Sequence, residues 1–149
     1  MILHSYHTDL CGAEQLNLNI VTTFNLTSPR YPTQYPLLAD CLWILTGPPD
    51  EEDGTIHIDF IDFNTGLSYD KLYMAPMNTT LRFDVDGVQQ GEYLLFSGAA
   101  TPKSMAVTYP ELQIAWDPTV WSLSSHTGFR LGVTWENANG TFVLIVKYF

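Results

Sequence analysis

The chain has 149 residues, 46% hydrophobic and 13% aromatic, which is enough to fill the core of one domain and too apolar for a disordered chain. Its formal net charge is −10, from sixteen acids against six bases (Arg30, Lys71, Arg82, Lys103, Arg130 and Lys147) that never cluster. A chain of that sign repels phosphate backbones and anionic lipid, which argues against nucleic acid and an anionic membrane surface as partners, and no apolar run approaches the roughly twenty residues of a membrane-spanning helix.

The first ten residues, MILHSYHTDL, lack the sustained apolar core of a secretory signal. His4 and His7 lie three apart there, but a metal would need further ligands converging on them. Residues 16–21, LNLNIV, alternate as a strand does, and TTFNLT leads into the densest stretch of the chain, TSPRYPTQYPLLADCLW at 27–43. Pro29, Pro32 and Pro36 each fix φ at about −65° and remove a backbone donor, so the segment through Pro36 is expected to run as a stiff extended connector. Tyr31 and Tyr35 are expected to plug one end of a core with their rings while their hydroxyls reach water. Residues 42–45 are apolar on both faces, as a central strand should be, and Cys41 and Trp43 fall on one face, where the indole can pack against sulfur.

A polar turn, GPPDEEDG at 47–54, follows, its acids read as a solvated turn. TIHIDFIDF at 55–63 then places Ile56, Ile58 and Phe60 on one face and His57, Asp59 and Ile61 on the other, and is expected to pair with 42–45 as a hairpin. Further short strands are expected at 71–74, 81–86, 93–96, 105–108, 112–116 and 129–135, with Leu81, Phe83 and Val85 inward in the second of these. Many short strands, turns of Gly, Pro and Asp, and no convincing helix point to an all-β fold, a two-sheet antiparallel β-sandwich. The tail, 136–149, is read as one more strand hairpinned onto 129–135. It is too short to span a bilayer, and unpaired it would be an aggregation hazard.

Cys11 followed by Gly12, then SPRYPTQYP, then CLW at 41–43, resembles the opening half of a CUB domain. IDFIDFNTGLSYDKLYM at 58–74, LLFSG at 94–98, LQIAW at 112–116 and HTGFRLGVTW at 126–135 continue the resemblance. It implies an extracellular, jelly-roll-like sandwich over 11–135, with 1–10 as an extension and 136–149 as an extra strand. Three glycosylation sequons, at Asn25, Asn78 and Asn139, each in or beside a turn-like stretch, agree with that location. In an oxidising compartment Cys11 and Cys41 would form a disulfide. Closing a loop of about thirty residues would contribute roughly 3–4 kcal/mol on the chain-entropy model. Met1 is then read as the start of a fragment, with any signal peptide and neighbouring modules outside it.

The resemblance also implies sites. The second cystine common in the family falls here on Leu67 and Ser97, so this is read as a one-disulfide variant whose core at that point holds by packing alone. Many CUB domains bind calcium through a glutamate, the aspartate of a Tyr-Asp pair and a late aspartate; oxygen ligands of this kind suit the ion. Asp70 matches the middle position, the glutamate position falls near Asn64 or Thr65, and the late one falls near Thr119. Asp62 and Asp117 are the available substitutes, so Asp62, Asp70 and Asp117 are the candidate calcium ligands. The competing reading is that no cofactor is bound and Asp70 hydrogen-bonds a local turn. No nucleophile elbow or phosphate loop occurs, so no catalytic residue is assigned and an enzyme is not expected.

What remains is a binding surface. Residues 117–128, DPTVWSLSSHTG, carry Trp121 between Val120 and Leu123, read as a lid over the sandwich end or as an exposed anchor. In the topology that the resemblance implies, Tyr69, Asp70, Trp121 and His126 share one end, the candidate site for an extracellular protein ligand or for neighbouring domains of the same chain. The expected role is a protein-binding module of a larger secreted or membrane-anchored protein. The alternatives are a carbohydrate-binding sandwich, with Trp121 and the tyrosines stacking on sugar rings, and an accessory or exosite domain of a secreted protease.

Overall fold

A strand with alternating apolar residues has one face to bury, and here two sheets bury theirs against each other. The computed structural model describes residues 9–18, 23–36, 39–48, 54–76, 83–84, 87–88, 94–107, 111–118 and 126–137. A 3-10 turn, Asp9–Cys11, precedes β1 (Gln15–Asn17), β2 (Phe24–Thr27), β3 (Cys41–Thr46), β4 (Gly54–Asn64) and β5 (Lys71–Pro76). The remaining strands are β6 (Phe83–Asp84), β7 (Gly87–Val88), β8 (Leu94–Phe96), β9 (Met105–Val107), β10 (Glu111–Asp117) and β11 (Gly128–Asn137). Five strands in the order β1-β3-β10-β5-β8 make one sheet, four in the order β2-β11-β4-β9 make the other, and β6 pairs with β7 alone. All pairings are antiparallel except that of β1 with β3. The chain is therefore all-β, a two-sheet sandwich of jelly-roll type.

The central position expected of 42–45 is where β3 lies, between β1 and β10. Cys41, Trp43 and Leu45 face the main core, and Leu42 joins Tyr73, Ala75 and Ala115 in a second buried cluster. In β4, Ile56, Ile58 and Phe60 point inward as expected. The ladder with β11 then slips, with Arg130 opposite Asp62 but Leu131 opposite Phe60, so Ile61 is an extra, bulged residue. The slip restores Phe63 to the core and leaves Ile61 half exposed.

Rings dominate the interior. Phe129 sits among Trp116, Trp43 and Phe63, with centroids 5.1, 6.0 and 6.4 Å away. Tyr35 meets Trp116 edge-on at 4.9 Å, extending the cluster towards the end where β4 finishes and β5 starts. Edge-to-face pairs of this kind add to simple burial because the positive rim of one ring meets the negative face of another. At the opposite end Trp135 is fully buried, and its indole lies where side chains of Gly47 and Gly54 would stand.

The structure corrects several expectations. Residues 42–45 and 55–63 do not form a hairpin, since β3 and β4 lie in different sheets. The segment between them has to cross from one sheet to the other, which a polar turn composition does not reveal. The proline-rich connector is turned, not extended: the N–H of Tyr31 donates to the carbonyl of Ser28 at 3.1 Å and that of Thr33 to the carbonyl of Arg30 at 2.8 Å. Arg30 adopts φ 64°, and the Tyr31-Pro32 peptide is cis. Prolines forbid helix and central strand, but they are equally at home in turns. Tyr35 is only 2% exposed, and its hydroxyl is spent inside the protein instead of reaching water. Asn25 lies within β2, just before the turned connector, and is exposed. The tail beyond 137, most of 81–86, residues 1–8 with His4 and His7, and the sequons at Asn78 and Asn139 lie outside the described residues.

The packing around Trp135 generates a test. A Cβ on Gly54 would come within 2.1 Å of the indole, and one on Gly47 within 2.6 Å. Gly54→Ala is expected to lower unfolding free energy by about 1–3 kcal/mol in denaturant titration, as overpacking does. Adding Trp135→Leu should make the Gly54→Ala substitution nearly neutral in the double-mutant cycle.

Candidate functional site

One end of the sandwich gathers the finish of β2, β4, β8 and β10 and the start of β3, β5 and β11. The turn 66–70 sits there, closed by the N–H groups of Tyr69 and Asp70, which donate to the carbonyl of Gly66 at 3.3 and 3.0 Å. Ser68 takes the left-handed conformation, φ 67°, which a non-glycine residue adopts only when its surroundings hold it there. Its N–H donates to Ser97 Oγ at 3.2 Å.

Asp70 is fully buried, and a carboxylate out of water must be hydrogen-bonded. Its Oδ2 accepts from the Tyr35 hydroxyl and, at 3.2 Å, from the Gly66 N–H. The aspartate thus ties the turn to the proline-rich connector. Beside it Thr65 grips Gly98: the Thr65 N–H donates to the Gly98 carbonyl at 2.8 Å, and the Gly98 N–H donates to Thr65 Oγ1 at 2.9 Å. This clasp stands at the place of the missing second cystine. The expectation that packing alone holds the core there is therefore corrected. Leu67 is 68% exposed and packs little, and the attachment is made by buried polar groups.

The four residues nominated as a binding face separate into different roles. Tyr69 is 59% exposed at the tip of the turn, whereas Asp70 beneath it has no exposed surface with which to touch a ligand. His126 is half-buried, its Nδ1 3.1 Å from Asn64 Oδ1, so it belongs to the same end through the last residue of β4. Trp121 lies outside the described residues. Leu67, which no local sequence signal places on the surface, flanks the left-handed Ser68 together with Tyr69.

The candidate calcium ligands are engaged in different contacts. Asp62 Oδ2 accepts from the Tyr31 hydroxyl at 2.7 Å, a bond that raises the phenol pKa above its ordinary value. Asp70 Oδ2 is occupied as described, and neither Asn64 nor Thr65, near which the glutamate position falls, brings a charge. Among the described residues no three Asp, Glu, His or Cys side chains stand where they could hold a metal.

Asp40, missed in the sequence, lies beside the candidate ligand Asp117. Trp116 pairs with Cys41, so the flanking Asp117 and Asp40 meet at the end of the ladder, with Lys71 opposite Asp117 on the other side. Burial, then repulsion from Asp117, pushes the Asp40 pKa up to about 6. Burial raises Asp117 as well, with Lys71 opposing and Asp70 adding to the shift. The signal was present in the sequence, one acid beside each end of a pairing, but only the pairing makes them neighbours.

The disulfide joins Cys11 to Cys41 with Cα atoms 5.7 Å apart. The Trp43 indole N–H donates to the Cys11 carbonyl at 3.0 Å, fixing the start of the chain against β3.

A family model for the CUB domain matches residues 11–132. Among solved structures, the CUB1-EGF-CUB2 domains of rat MASP-1 align with a TM-score of 0.60 at 18% identity, covering 83% of this chain and 40% of that one. The full extracellular region of zebrafish Gpr126/Adgrg6 aligns with a TM-score of 0.60 at 18% identity, covering 85% of this chain and 15% of that one. A MASP-1 CUB2 domain bound to Ca2+ aligns with a TM-score of 0.55 at 18% identity, covering 78% of this chain and 96% of that one. This chain thus spans well under half the length of the first two. At such identity the likeness speaks for the fold. CUB domains are extracellular and generally non-catalytic modules, and no helix among the described residues is long and apolar enough to cross a membrane.

Two tests follow from this end. Leu67→Cys with Ser97→Cys is expected to close a second disulfide, read as a loss of two free thiols by mass, and to raise stability by about 2–4 kcal/mol. For Asp40, a folded pKa above the ordinary value of 3.8 means that ionisation opposes folding. The penalty is complete above the folded pKa of about 6 and vanishes as pH falls towards 4. Asp40→Asn should therefore raise the unfolding free energy at pH 7.5 by on the order of 1 kcal/mol for a half-buried group screened by solvent, read as a higher thermal midpoint, and lose that advantage by about pH 4.

Proposed function

The chain belongs to the CUB domain family, and we propose that it is a non-catalytic docking module of a larger extracellular protein that holds a protein ligand through the turn 66–70. Its place is in a secreted protein or on the extracellular face of the plasma membrane. The observation that carries this reading is the exposure of Leu67 and Tyr69, 68% and 59%, on a turn whose backbone is fixed from beneath by Asp70, Tyr35 and Ser97. A preorganised apolar anchor loses little conformational freedom on binding, and residues of the tyrosine class carry much of the energy at interfaces. His126, held at the same end by Asn64, is a further contact residue, and Asp70 acts as the positioning residue.

The net charge of −10 favours a ligand with a basic rim around its apolar centre. The neighbouring modules of the parent chain are a second source of such a surface. Calcium has no part in this reading, because among the described residues no three Asp, Glu, His or Cys side chains stand where they could hold a metal.

The test is capture from an array of extracellular proteins, with a glycan array run in parallel. Tyr69→Ala and Leu67→Asp are each expected to weaken the captured protein by about tenfold or more without lowering the thermal midpoint. Capture should persist in EDTA and associate more slowly as salt is raised. Protein binding that neither variant changes would overturn the site. Binding on the glycan array alone would replace the reading with the carbohydrate one.

A further inference from the structure

We infer that Asn25 carries an N-linked glycan whose first sugar lies across Gly132 against Ile61, so that the outer face of the four-stranded sheet is covered by the chain's own carbohydrate. The inference is independent of the docking site at Tyr69. It rests on the register of three strands. Asn25 of β2, Gly132 of β11 and Asp59 of β4 stand side by side, and directly opposed residues in antiparallel strands share a face. Leu26 is buried beneath them, so Asn25 and Thr27, the two polar members of the sequon, turn outward together.

Gly132 has no side chain of its own in that row and is buried, covered by Ile61. The nearest atom to a Cβ placed there is Ile61 Cδ1, at 3.3 Å, followed by Asp59 Cβ at 3.8 Å. Ile61 is the bulged residue of β4, 50% exposed and leaning over the glycine. A bulge that re-aims an apolar side chain into solvent calls for an explanation. A pyranose linked to Asn25 spans about one strand spacing of 4.7–4.9 Å, which brings its C–H face over Gly132 to meet Ile61. Arg130, exposed on the same face, and Asp59 offer hydrogen bonds to the hydroxyl and acetamido groups. A side chain at 132 would press on Ile61 and displace it from the place where it meets the sugar.

The linkage forms from a lipid-linked oligosaccharide in the secretory pathway. Asn25 Nδ2 bonds to C1 of the terminal N-acetylglucosamine, the C1–O bond to the donor's pyrophosphate breaks, the lipid pyrophosphate leaves with the electron pair, and Nδ2 gives up one proton.

The test uses the whole chain, secreted from animal cells, beside the same chain refolded without glycans from bacteria. Peptide mass spectrometry is expected to find Asn25 occupied. Asn25→Gln should lower the thermal midpoint of the secreted chain by roughly 2–4 °C beyond its effect on the bacterial one. Ile61→Ser should remove most of that increment, whereas Leu95→Ser, an equally exposed change elsewhere, should leave it intact. Unmodified Asn25 in the secreted chain would overturn the inference. So would a secreted and a bacterial pair that respond alike to Asn25→Gln, or an increment untouched by Ile61→Ser.

Discussion

The bond between the Tyr35 hydroxyl and the Asp70 carboxylate is the constraint on which this end of the protein depends. Neither group could be buried alone, because an unpaired carboxylate in the interior costs several kcal/mol. Together they fix the connector between β2 and β3 to the turn before β5, and so to both sheets. Tyr35 also lays its ring on Trp116, which meets Phe129, so the polar tie and the aromatic core hold one another in place. The Thr65–Gly98 clasp then extends the same logic to β8. A disulfide would have done that work covalently. Here hydrogen bonds shielded from water do it, and they are effective only because burial removes the competing solvent.

The electrostatics of this end are less comfortable. Asp40 and Asp117 meet across the ladder in a partly buried position, with a single lysine, Lys71, opposite one of them. No packing requirement explains two acids there. An arrangement that opposes its own ionisation costs stability at neutral pH and returns it in acid.

The fold was legible where local pattern and burial agree. Alternation placed Ile56, Ile58 and Phe60 inward, and doubled apolarity placed 42–45 at the centre of a sheet, because these signals depend only on the period of a strand. Pairing was not legible: a polar turn between two strands is compatible with a hairpin or with a crossing between sheets. The bulge at Ile61 was hidden for a similar reason, since the extra residue shows only against its partner strand. At the candidate site, Asp70 and Tyr69 were found through the Tyr-Asp pair, but which of the two faces solvent is decided by Tyr35, thirty-five positions away. Pairings over such distances leave no local trace.

The disulfide has a mechanical consequence for a module placed between other modules. Tension applied through the N-terminal side enters at Cys11 and passes through sulfur to Cys41 at the head of β3. Residues 12–40, which include β1, β2 and the proline-rich turns, are bypassed by that line of force. The load therefore falls on β3, a strand paired on both sides, while the connector that carries Tyr35 stays slack and the end it braces keeps its shape under strain.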